Sequence, residues 1–114
     1  KFIYDNILDS KINKTFDMII SNPPYIPYNE IKDLPNEVKN FDPKNALTDF
    51  DDGFKFYNMF AKIGQKYLSK KGKMLFEIGD TLNINILKKI FNCYQDFQIY
   101  KDFNNINRFI KIIK

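Results

Sequence analysis

The chain of 114 residues carries a formal net charge of +4, and its length limits it to one domain or a part of one. Its apolar and charged fractions, 44% and 28%, are typical of a soluble globular protein. No apolar run approaches the roughly 18 residues that a membrane span requires, so we expect no membrane partner. The basic residues are spread along the chain and only Arg108 is an arginine, which indicates solvated surface lysines rather than a nucleic-acid-binding patch.

Cysteine and histidine are informative because they are scarce. Cys93 is the only cysteine, which excludes an internal disulfide and favours a reducing, cytoplasmic compartment. Its position between Phe91 and Tyr94 predicts a packed core residue. Histidine is absent, so the chain lacks the commonest general base and the commonest metal ligand. Any chemistry would therefore proceed without a histidine base, and we expect no metal site.

The first predicted elements are strands followed by a long loop. KFIY, at residues 1–4, reads as the tail of a strand, and FDMII, at residues 16–20, is an apolar run of the buried-strand type. Residues 22–52 hold all five prolines of the chain, which predicts an irregular segment. A loop of about 30 residues is unusual in a compact domain and is commonly functional.

A helix and a second strand are predicted after the loop. Asp51 or Asp52 is the expected helix N-cap, and KKG at 70–72 reads as a basic helix end followed by a stop glycine. GKMLFEIG, at 72–79, is a continuous apolar run that predicts a second buried strand. The helix itself is predicted from one apolar stripe at helical spacing, formed by Phe56, Tyr57, Phe60, Ile63, Gly64, Tyr67 and Leu68.

The C-terminal part predicts one more helix and a pair of strands. Thr81 is the expected helix cap, and residues 97–100 and 108–113 predict strands joined by the polar turn DFNNIN. Alternating strands and helices indicate crossovers between parallel strands. We therefore predict an α/β fold with a mostly parallel sheet and an antiparallel C-terminal hairpin. The apolar face of the second helix would be Ile84, Leu87, Ile90, Phe91 and Tyr94.

The stretch SNPPYIP, at residues 21–27, follows the FDMII strand and is the strongest candidate for a functional site. In an open α/β sheet, ligands bind at the carboxyl ends of strands. The amide oxygen of Asn22 and the carbonyl of Pro23 are two hydrogen-bond acceptors that together would hold an NH₂ group. Tyr25 offers a flat face to cover that group. The pattern therefore predicts a site for a planar amide or amine nitrogen, and the alternative is a plain Pro-Pro turn with a satisfied asparagine.

The sequence FDMIISNPPYIP resembles motif IV of S-adenosylmethionine-dependent methyltransferases that modify planar nitrogens. Four further segments resemble the release factor glutamine methyltransferases in order and spacing: EVKNFDPKNAL, DDGFKFY, LSKKGKMLFEIG and DFNNINRFIKI. NPPY alone is shared with adenine and cytosine amino methyltransferases, whereas its combination with the D-P-x-x-A-L segment is more specific. The resemblance covers the chain from about Asn6 onward. It implies methylation of N5 of the glutamine in the GGQ motif of peptide chain release factors.

The resemblance also assigns roles to individual residues. Asn22 and the Pro23 carbonyl would accept hydrogen bonds from the substrate amide, Pro24 would hold the corner, and Tyr25 would stack on the amide. S-adenosyl-L-methionine is the implied cofactor, and Asn6, Ile7 and Asn22 are the implied residues beside it. Glu77, at a strand end, is a conceivable base, but its apolar surroundings favour a structural hydrogen bond.

The chain departs from the family's pattern at three places. The family usually has Asp at the position of Asn6, often has Gly-Gly where Asp49-Phe50 stands, and usually has Gln at the position of Leu82. The second departure leaves the path of the loop around residue 50 open.

The glycine-rich cofactor loop of the family is absent from these residues, since no G-x-G occurs. We therefore expect the chain to be the C-terminal half of a Rossmann-like methyltransferase domain, inactive alone and with an exposed sheet edge. Release factors with their GGQ domain are the expected partners, and direct nucleic-acid binding is not expected.

Three alternatives stay open at this point. One is methylation of a ribosomal-protein glutamine, although Ala46-Leu47 fits the release-factor group better than the G-L-A of that sister group. A second is a nucleic-acid amino methyltransferase whose lysines contact phosphates. A third is a non-catalytic remnant in which NPPY is idle.

Overall fold

The computed structural model describes residues 3–5 and 13–114, and its strands form one sheet in the order β1-β2-β4-β3. The strands β1 and β2 are parallel, whereas β2–β4 and β4–β3 are antiparallel pairs. The predicted α/β class is confirmed, but the described sheet is mixed rather than mostly parallel, because the C-terminal strand enters between β2 and β3. The bounds are Phe16–Ser21 for β1, Leu68–Glu77 for β2, Asp96–Lys101 for β3 and Asn107–Ile113 for β4.

The N-terminal predictions are only partly covered by the described residues. Residues 3–5 are exposed and have no regular secondary structure, so the predicted strand at KFIY is not formed there. Asn6 and Ile7, the predicted cofactor contacts, lie outside the described residues.

The segment predicted to be irregular contains three short helical pieces. A 3₁₀ helix spans Tyr28–Asp33, α1 spans Asn36–Phe41 and α2 spans Lys44–Leu47. Each begins directly after a proline, at Pro27, Pro35 and Pro43. Proline fixes φ near the value that helices need and lacks the N–H that a helix start leaves unpaired, so it is compatible with each start. The prolines were therefore read correctly as breaks, but the short helices between them were missed.

The two longer helices contain most of their predicted stripes, but Leu68 lies in β2, Phe91 and Tyr94 follow α4, and the predicted helix ends were wrong. α3 spans Lys55–Tyr67, and Phe54 rather than Asp51 or Asp52 occupies its N-cap position, without a side-chain cap. α4 spans Ile84–Ile90 and is capped by Asn83, whose side chain accepts a hydrogen bond from the Asn85 N–H. Thr81, the predicted cap, instead donates to a Glu30 carboxylate oxygen at 3.2 Å.

The KKG segment lies inside β2 and does not end a helix. β2 begins immediately after α3, and its pairing with β1 is irregular between Phe16 and Met18. Lys71 has φ 64°, the left-handed conformation typical of turns. The predicted helix end at KKG is therefore wrong, and the local irregularity is a bulge within the strand.

The core lies between one face of the sheet and the helices α3 and α4. Met74, Phe76, Ile110 and Ile112 point to this face and are fully buried. The rings of Phe60 and Phe76 stack with centroids 4.5 Å apart, and Phe91 lies 6.1 Å from Phe76. The alternation of strand side chains thus places every second residue of β2 and β4 under the helices. We call this side the covered face.

The opposite side of the sheet, which we call the open face, has no helix over it in the part of the chain that the structure describes. Ile20 and Met18 of β1 are 67% and 52% exposed, and Tyr100 and Phe109 are also exposed. The prediction that FDMII is a strand is confirmed, but the prediction that it is buried is wrong. Among residues 13–114 nothing pairs with the outer edge of β1 or covers this side of it.

Cys93 also differs from its prediction, because it is exposed. It follows α4 in a turn whose buried members are Phe91 and Tyr94. Its sulfur lies 3.5 Å from the Gln65 side-chain nitrogen, at the surface. The apolar neighbours in sequence point inward, and Cys93 points outward between them.

Candidate functional site: the corner after the first strand

The predicted amide clamp lies at the carboxyl end of β1. Asn22 is exposed, Pro23 is buried, and Pro24 and Tyr25 are half-buried. Within the described residues, no hydrogen bond to the Asn22 side chain or to the Pro23 carbonyl is formed. Backbone carbonyls near a buried residue are normally paired, so an unpaired acceptor beside an exposed amide is available to a ligand. The four residues NPPY thus form one corner, in which the Asn22 side chain and the Pro23 carbonyl have no hydrogen-bond partner among the described residues and the Tyr25 ring is partly enclosed.

The hydroxyl of Tyr25 is held by Glu77, the last residue of β2. It donates a hydrogen bond to the Glu77 Oε1 atom over 3.0 Å. The backbone carbonyl of the same residue accepts a hydrogen bond of 2.7 Å from the Tyr57 hydroxyl, which comes from α3. Glu77 therefore joins the corner after β1 to the strand β2 and the helix α3. The expectation that Glu77 makes a structural hydrogen bond at its strand end agrees with this geometry.

The environment keeps both phenols in their protonated form. Burial, and then the hydrogen bond with the Glu77 carboxylate, raise the pKa of Tyr25 above its usual value of 10.0. Burial, followed by the nearby Tyr25 and Glu77, raises the pKa of Tyr57 far above its usual range. A protonated phenol can donate to a carboxylate or a carbonyl, so both hydrogen bonds persist throughout the neutral range.

The Tyr25 ring lies against the segment that follows β2. A Cβ atom added at Gly79 would come within 2.9 Å of the Tyr25 Cδ2 atom and 3.3 Å of its Cε2 atom. Such a separation is too short for two carbon atoms, so only glycine leaves room for the ring here. Leu82 is buried beside Gly79. The glycine of the E-I-G segment therefore has a steric function in this corner.

The loop around residue 50 passes directly behind the corner. Ile26 donates a backbone hydrogen bond to the Leu47 carbonyl over 3.0 Å and forms a parallel bridge with Thr48. A Cβ at Gly53, which has φ +86°, would lie 2.5 Å from the Tyr25 backbone oxygen. The residues 47–53 and the residues 25–26 are thus packed backbone to backbone.

Asp49 shapes this loop and is 2% exposed. Its Oδ1 atom accepts hydrogen bonds from the N–H groups of Asp51 and Gly53, and its Oδ2 atom accepts one from Lys55, the first residue of α3. Phe50 adopts φ 62°, a conformation that glycine adopts more readily. Phe50 therefore has a backbone conformation that suits a glycine, and the Asp49 hydrogen bonds hold the loop in this path.

An ion pair lies at the same end of the sheet. Arg108, the only arginine in the sequence, contacts the Asp102 carboxylate with an N–O distance of 3.2 Å. The Asp102 carboxylate also accepts from the N–H groups of Ile106 and Asn104. The Ile106 hydrogen bond, and then that of Arg108, lower the pKa of Asp102 below its usual value. The pair closes the turn between β3 and β4.

Sequence reasoning singled out the four NPPY residues as a candidate site, which stays a prediction, and it did not identify the groups that contact them. The steric functions of Gly79 and Gly53 and the loop-shaping carboxylate of Asp49 were not predicted. The glycine after a buried strand at E-I-G was a usable signal, since glycine commonly marks a close approach of backbone or ring. In the described part of the chain no cluster of carboxylate or cysteine side chains could hold a metal ion. No described helix combines the length and apolar character that crossing a membrane requires.

Comparisons with known proteins agree with the motif reading. The family model described as Eco57I restriction-modification methylase matches residues 1–113. A release factor glutamine methyltransferase of Fusobacterium nucleatum subsp. nucleatum is 40% identical over 116 residues, which cover 96% of this chain and 31% of that protein. The release factor glutamine methyltransferase of Bacillus subtilis is 35% identical over 102 residues, covering 88% of this chain and 35% of the relative.

A third relative is a bifunctional methyltransferase of Rickettsia typhi. It is 33% identical over 113 residues, which cover 98% of this chain and 22% of that protein. The chain therefore spans about a third or less of the length of these relatives. Because the family model covers nearly the whole chain, the chain belongs to the methyltransferase family described as Eco57I restriction-modification methylase, and it is homologous to part of the release factor glutamine methyltransferases.

Proposed function

We propose that the chain is the C-terminal portion of an S-adenosylmethionine-dependent methyltransferase domain that methylates N5 of the glutamine in the GGQ motif of peptide chain release factors. The observation that carries the proposal is the NPPY corner, whose Asn22 and Pro23 acceptors have no partner among the described residues and lie at an exposed strand end. The relatives named for release factor glutamine methylation support this substrate class.

The reaction needs positioning more than it needs a strong base. A carboxamide nitrogen is a weak nucleophile, because its lone pair is delocalised into the carbonyl group. Two acceptors that hold the N–H groups would aim the nitrogen and stabilise the positive charge that develops on it. The methylated nitrogen is acidic and loses its surplus proton to water after transfer. This sequence of events suits a chain without histidine.

S-adenosylmethionine would supply an electrophilic methyl group, so that a carbon–nitrogen bond forms on the glutamine as the carbon–sulfur bond of the sulfonium breaks. Of the residues that the resemblance assigns to this cofactor, Asn22 is the one that the structure describes. Its amide is exposed and has no partner in the described part of the chain, which fits that assignment. We expect the 114-residue chain by itself to bind the cofactor more weakly than about 100 μM, because it lacks a glycine-rich loop. Isothermal titration calorimetry checks this, and micromolar binding would contradict it.

The match to a restriction-modification methylase family favours nucleic acid as a second candidate substrate class. A nucleic-acid amino group presents the same kind of planar NH₂ to the clamp, and the chain has a net charge of +4. A glutamine of a ribosomal protein is a further acceptor with identical chemistry. The substrate is therefore to be assigned by comparing methyl transfer to these different acceptors.

The test uses the protein expressed with the native sequence that flanks this chain. Methyl transfer from isotopically labelled S-adenosylmethionine is measured with purified release factor, ribosomal protein, and DNA or RNA as acceptors. We expect transfer to the release factor, and none to a release factor whose GGQ glutamine is replaced. Transfer only to the ribosomal protein or to nucleic acid would assign that acceptor as the substrate instead. Transfer to none of the acceptors would refute the proposal.

A matched pair of asparagine variants tests the clamp. Asn22→Ala removes one hydrogen-bond acceptor and should lower kcat roughly 100-fold, because the substrate amide nitrogen is no longer oriented toward the methyl group. Asn29→Ala changes another exposed asparagine a few residues later, in the 3₁₀ helix, and should leave kcat unchanged. Equal activity of the two variants would mean that the corner is only a structural turn.

A further inference from the structure

Glu77 connects the end of β2 to the NPPY corner through its side chain. It is half-buried, it ends β2, and it pairs with Phe109 of β4. Strand alternation puts its side chain on the open face with Leu75, whereas Phe76 points to the covered face. Its carboxylate meets the hydroxyl of Tyr25 from that side, at 3.0 Å.

The Tyr25 side chain is restrained at two points along its length. The hydroxyl is held at one end by Glu77, and the edge that carries Cδ2 and Cε2 lies against Gly79. A tyrosine side chain has two rotatable bonds, so a contact at the ring edge and another at the hydroxyl together fix its orientation. The Tyr25 backbone is restrained as well, because its carbonyl lies against Gly53.

We propose that Glu77 is a positioning residue of this site, whose carboxylate holds the Tyr25 ring in one orientation beside Asn22, with Gly79 providing the space for that ring. The inference rests on the proposed function, since it concerns the same corner. Its content is that Glu77 acts through Tyr25 and does not take a proton from the substrate. The Oε1 atom accepts a hydrogen bond from the Tyr25 hydroxyl, which fixes the ring before the amide binds, so less conformational entropy is lost on binding.

The test compares two substitutions of Glu77 in the protein with its native flanking sequence. Glu77→Ala removes the acceptor and should lower kcat about tenfold, the effect expected for one charge-assisted hydrogen bond. Glu77→Gln keeps an acceptor oxygen but has no basic carboxylate, so it should restore most of the rate. If Glu77 were the base, both variants would be equally slow and the acidic limb of the pH–rate profile would disappear, and the proposal would be wrong.

A double-mutant cycle provides the second readout. Tyr25→Phe should also lower kcat about tenfold, because the ring keeps its face but loses the hydroxyl. Adding Glu77→Ala to Tyr25→Phe should have no further effect, since Glu77 is proposed to act only through that hydroxyl. Additive losses would overturn the proposal. If Glu77→Ala does not fold, the comparison of Tyr25→Phe with Glu77→Gln still decides between the two roles.

Two glycines of similar crowding give a matched steric control. Gly79→Ala would press on the Tyr25 ring at 2.9 Å, and Gly72→Ala would press on the Ser69 carbonyl at 2.9 Å, near the other end of β2. Both should lower the melting temperature, but only Gly79→Ala should lower kcat, by about tenfold or more. Equal kcat values for the two alanine variants would contradict the steric part of the proposal.

Failure of this inference can be told apart from failure of the proposed function. If the unmodified protein transfers no methyl group to any acceptor, the proposed function is wrong, and the inference that rests on it falls as well. If it does transfer and Glu77→Ala is as active as the unmodified protein, only the positioning role is refuted. Glu30→Ala is the control for loss of a carboxylate, because Glu30 also accepts from a hydroxyl, that of Thr81, outside the corner. We expect it to leave kcat unchanged.

Discussion

The two faces of the sheet carry similar apolar side chains and have very different surroundings. On the covered face, Met74, Phe76, Ile110 and Ile112 are completely buried under α3 and α4. On the open face, Ile20 is 67% exposed, and Leu75, Tyr100 and Phe109 line a groove of about 430 Å³ together with Lys111. An apolar run therefore predicts a strand reliably, but burial depends on what else packs on each face.

The two faces should differ most in the cost of truncating neighbouring residues. Phe76→Ala would leave a cavity among Phe60, Tyr57 and Phe91 and should cost about 3–5 kcal/mol of unfolding free energy. Leu75→Ala changes the next residue, on the open face, and should cost about 1 kcal/mol, because that side chain is only half-buried. Urea unfolding of the chain measures both. Similar costs would show that the open face is covered in solution.

A second pair of substitutions compares a tyrosine of the core under the covered face with a tyrosine of the open face. Tyr94 donates to the Ala61 carbonyl over 2.7 Å, and burial raises its pKa to about 12. Tyr94→Phe should cost about 1 kcal/mol at neutral pH, whereas Tyr100→Phe, whose hydroxyl is at the surface, should change stability by less than about 0.5 kcal/mol.

The pH dependence of Tyr94 has a definite sign. Its pKa is higher in the folded chain than the value of about 10 in an unfolded chain, so its contribution to stability is complete below pH 10. That contribution is lost as the pH rises from about 10 to 12. The difference in unfolding free energy between the chain and Tyr94→Phe, measured by chemical unfolding, should therefore be smaller at about pH 11 than at about pH 8. A constant gap would mean that the phenol ionises as easily in the folded chain.

The edge strand allows the same comparison within one β1 dipeptide. Ile20→Ser, on the open face, should alter the unfolding free energy by less than about 0.5 kcal/mol and reduce self-association. Ile19→Ser should cost more, because Ile19 packs against the core cluster. Thermal unfolding and light scattering measure the two effects. A larger loss for Ile20→Ser than for Ile19→Ser would reverse the assignment of faces.

The smallest effect is expected outside both faces, in the turn between β3 and β4. The pKa of Asp102 is lowered in the folded chain, first by the Ile106 N–H and then by Arg108. Its contribution is therefore complete above the unfolded pKa of about 3.9 and is lost as the pH falls through the lower, folded value. Asp102→Asn should be slightly less stable near neutral pH, and the difference should vanish in acid. Unfolding curves at the two pH values check this, and a difference that grows in acid would contradict it.

The sequence by itself determined the two longer helices, the four strands of the described sheet and the position of the NPPY turn, because these depend on local chemistry. The apolar period of α3, the alternating strands and the stiff NPPY turn are properties of neighbouring residues. The helix ends were less predictable. Asn83 rather than Thr81 caps α4. Before α3, the Asp49 carboxylate accepts hydrogen bonds from three N–H groups, the last of them at the first residue of the helix.

Only the tertiary structure decided which residues support the corner and which face of the sheet is buried. Glu77 and Tyr25 are 52 positions apart, and the parallel pairing of β1 with β2 places their strand ends side by side. Gly79 and Gly53 matter because a ring and a carbonyl approach them from a distant part of the chain. The order β1-β2-β4-β3 likewise follows from long-range pairing, which no local pattern encodes. The NPPY turn could therefore be located from the sequence, whereas the contacts that Glu77, Gly79 and Gly53 make with Tyr25 required the fold.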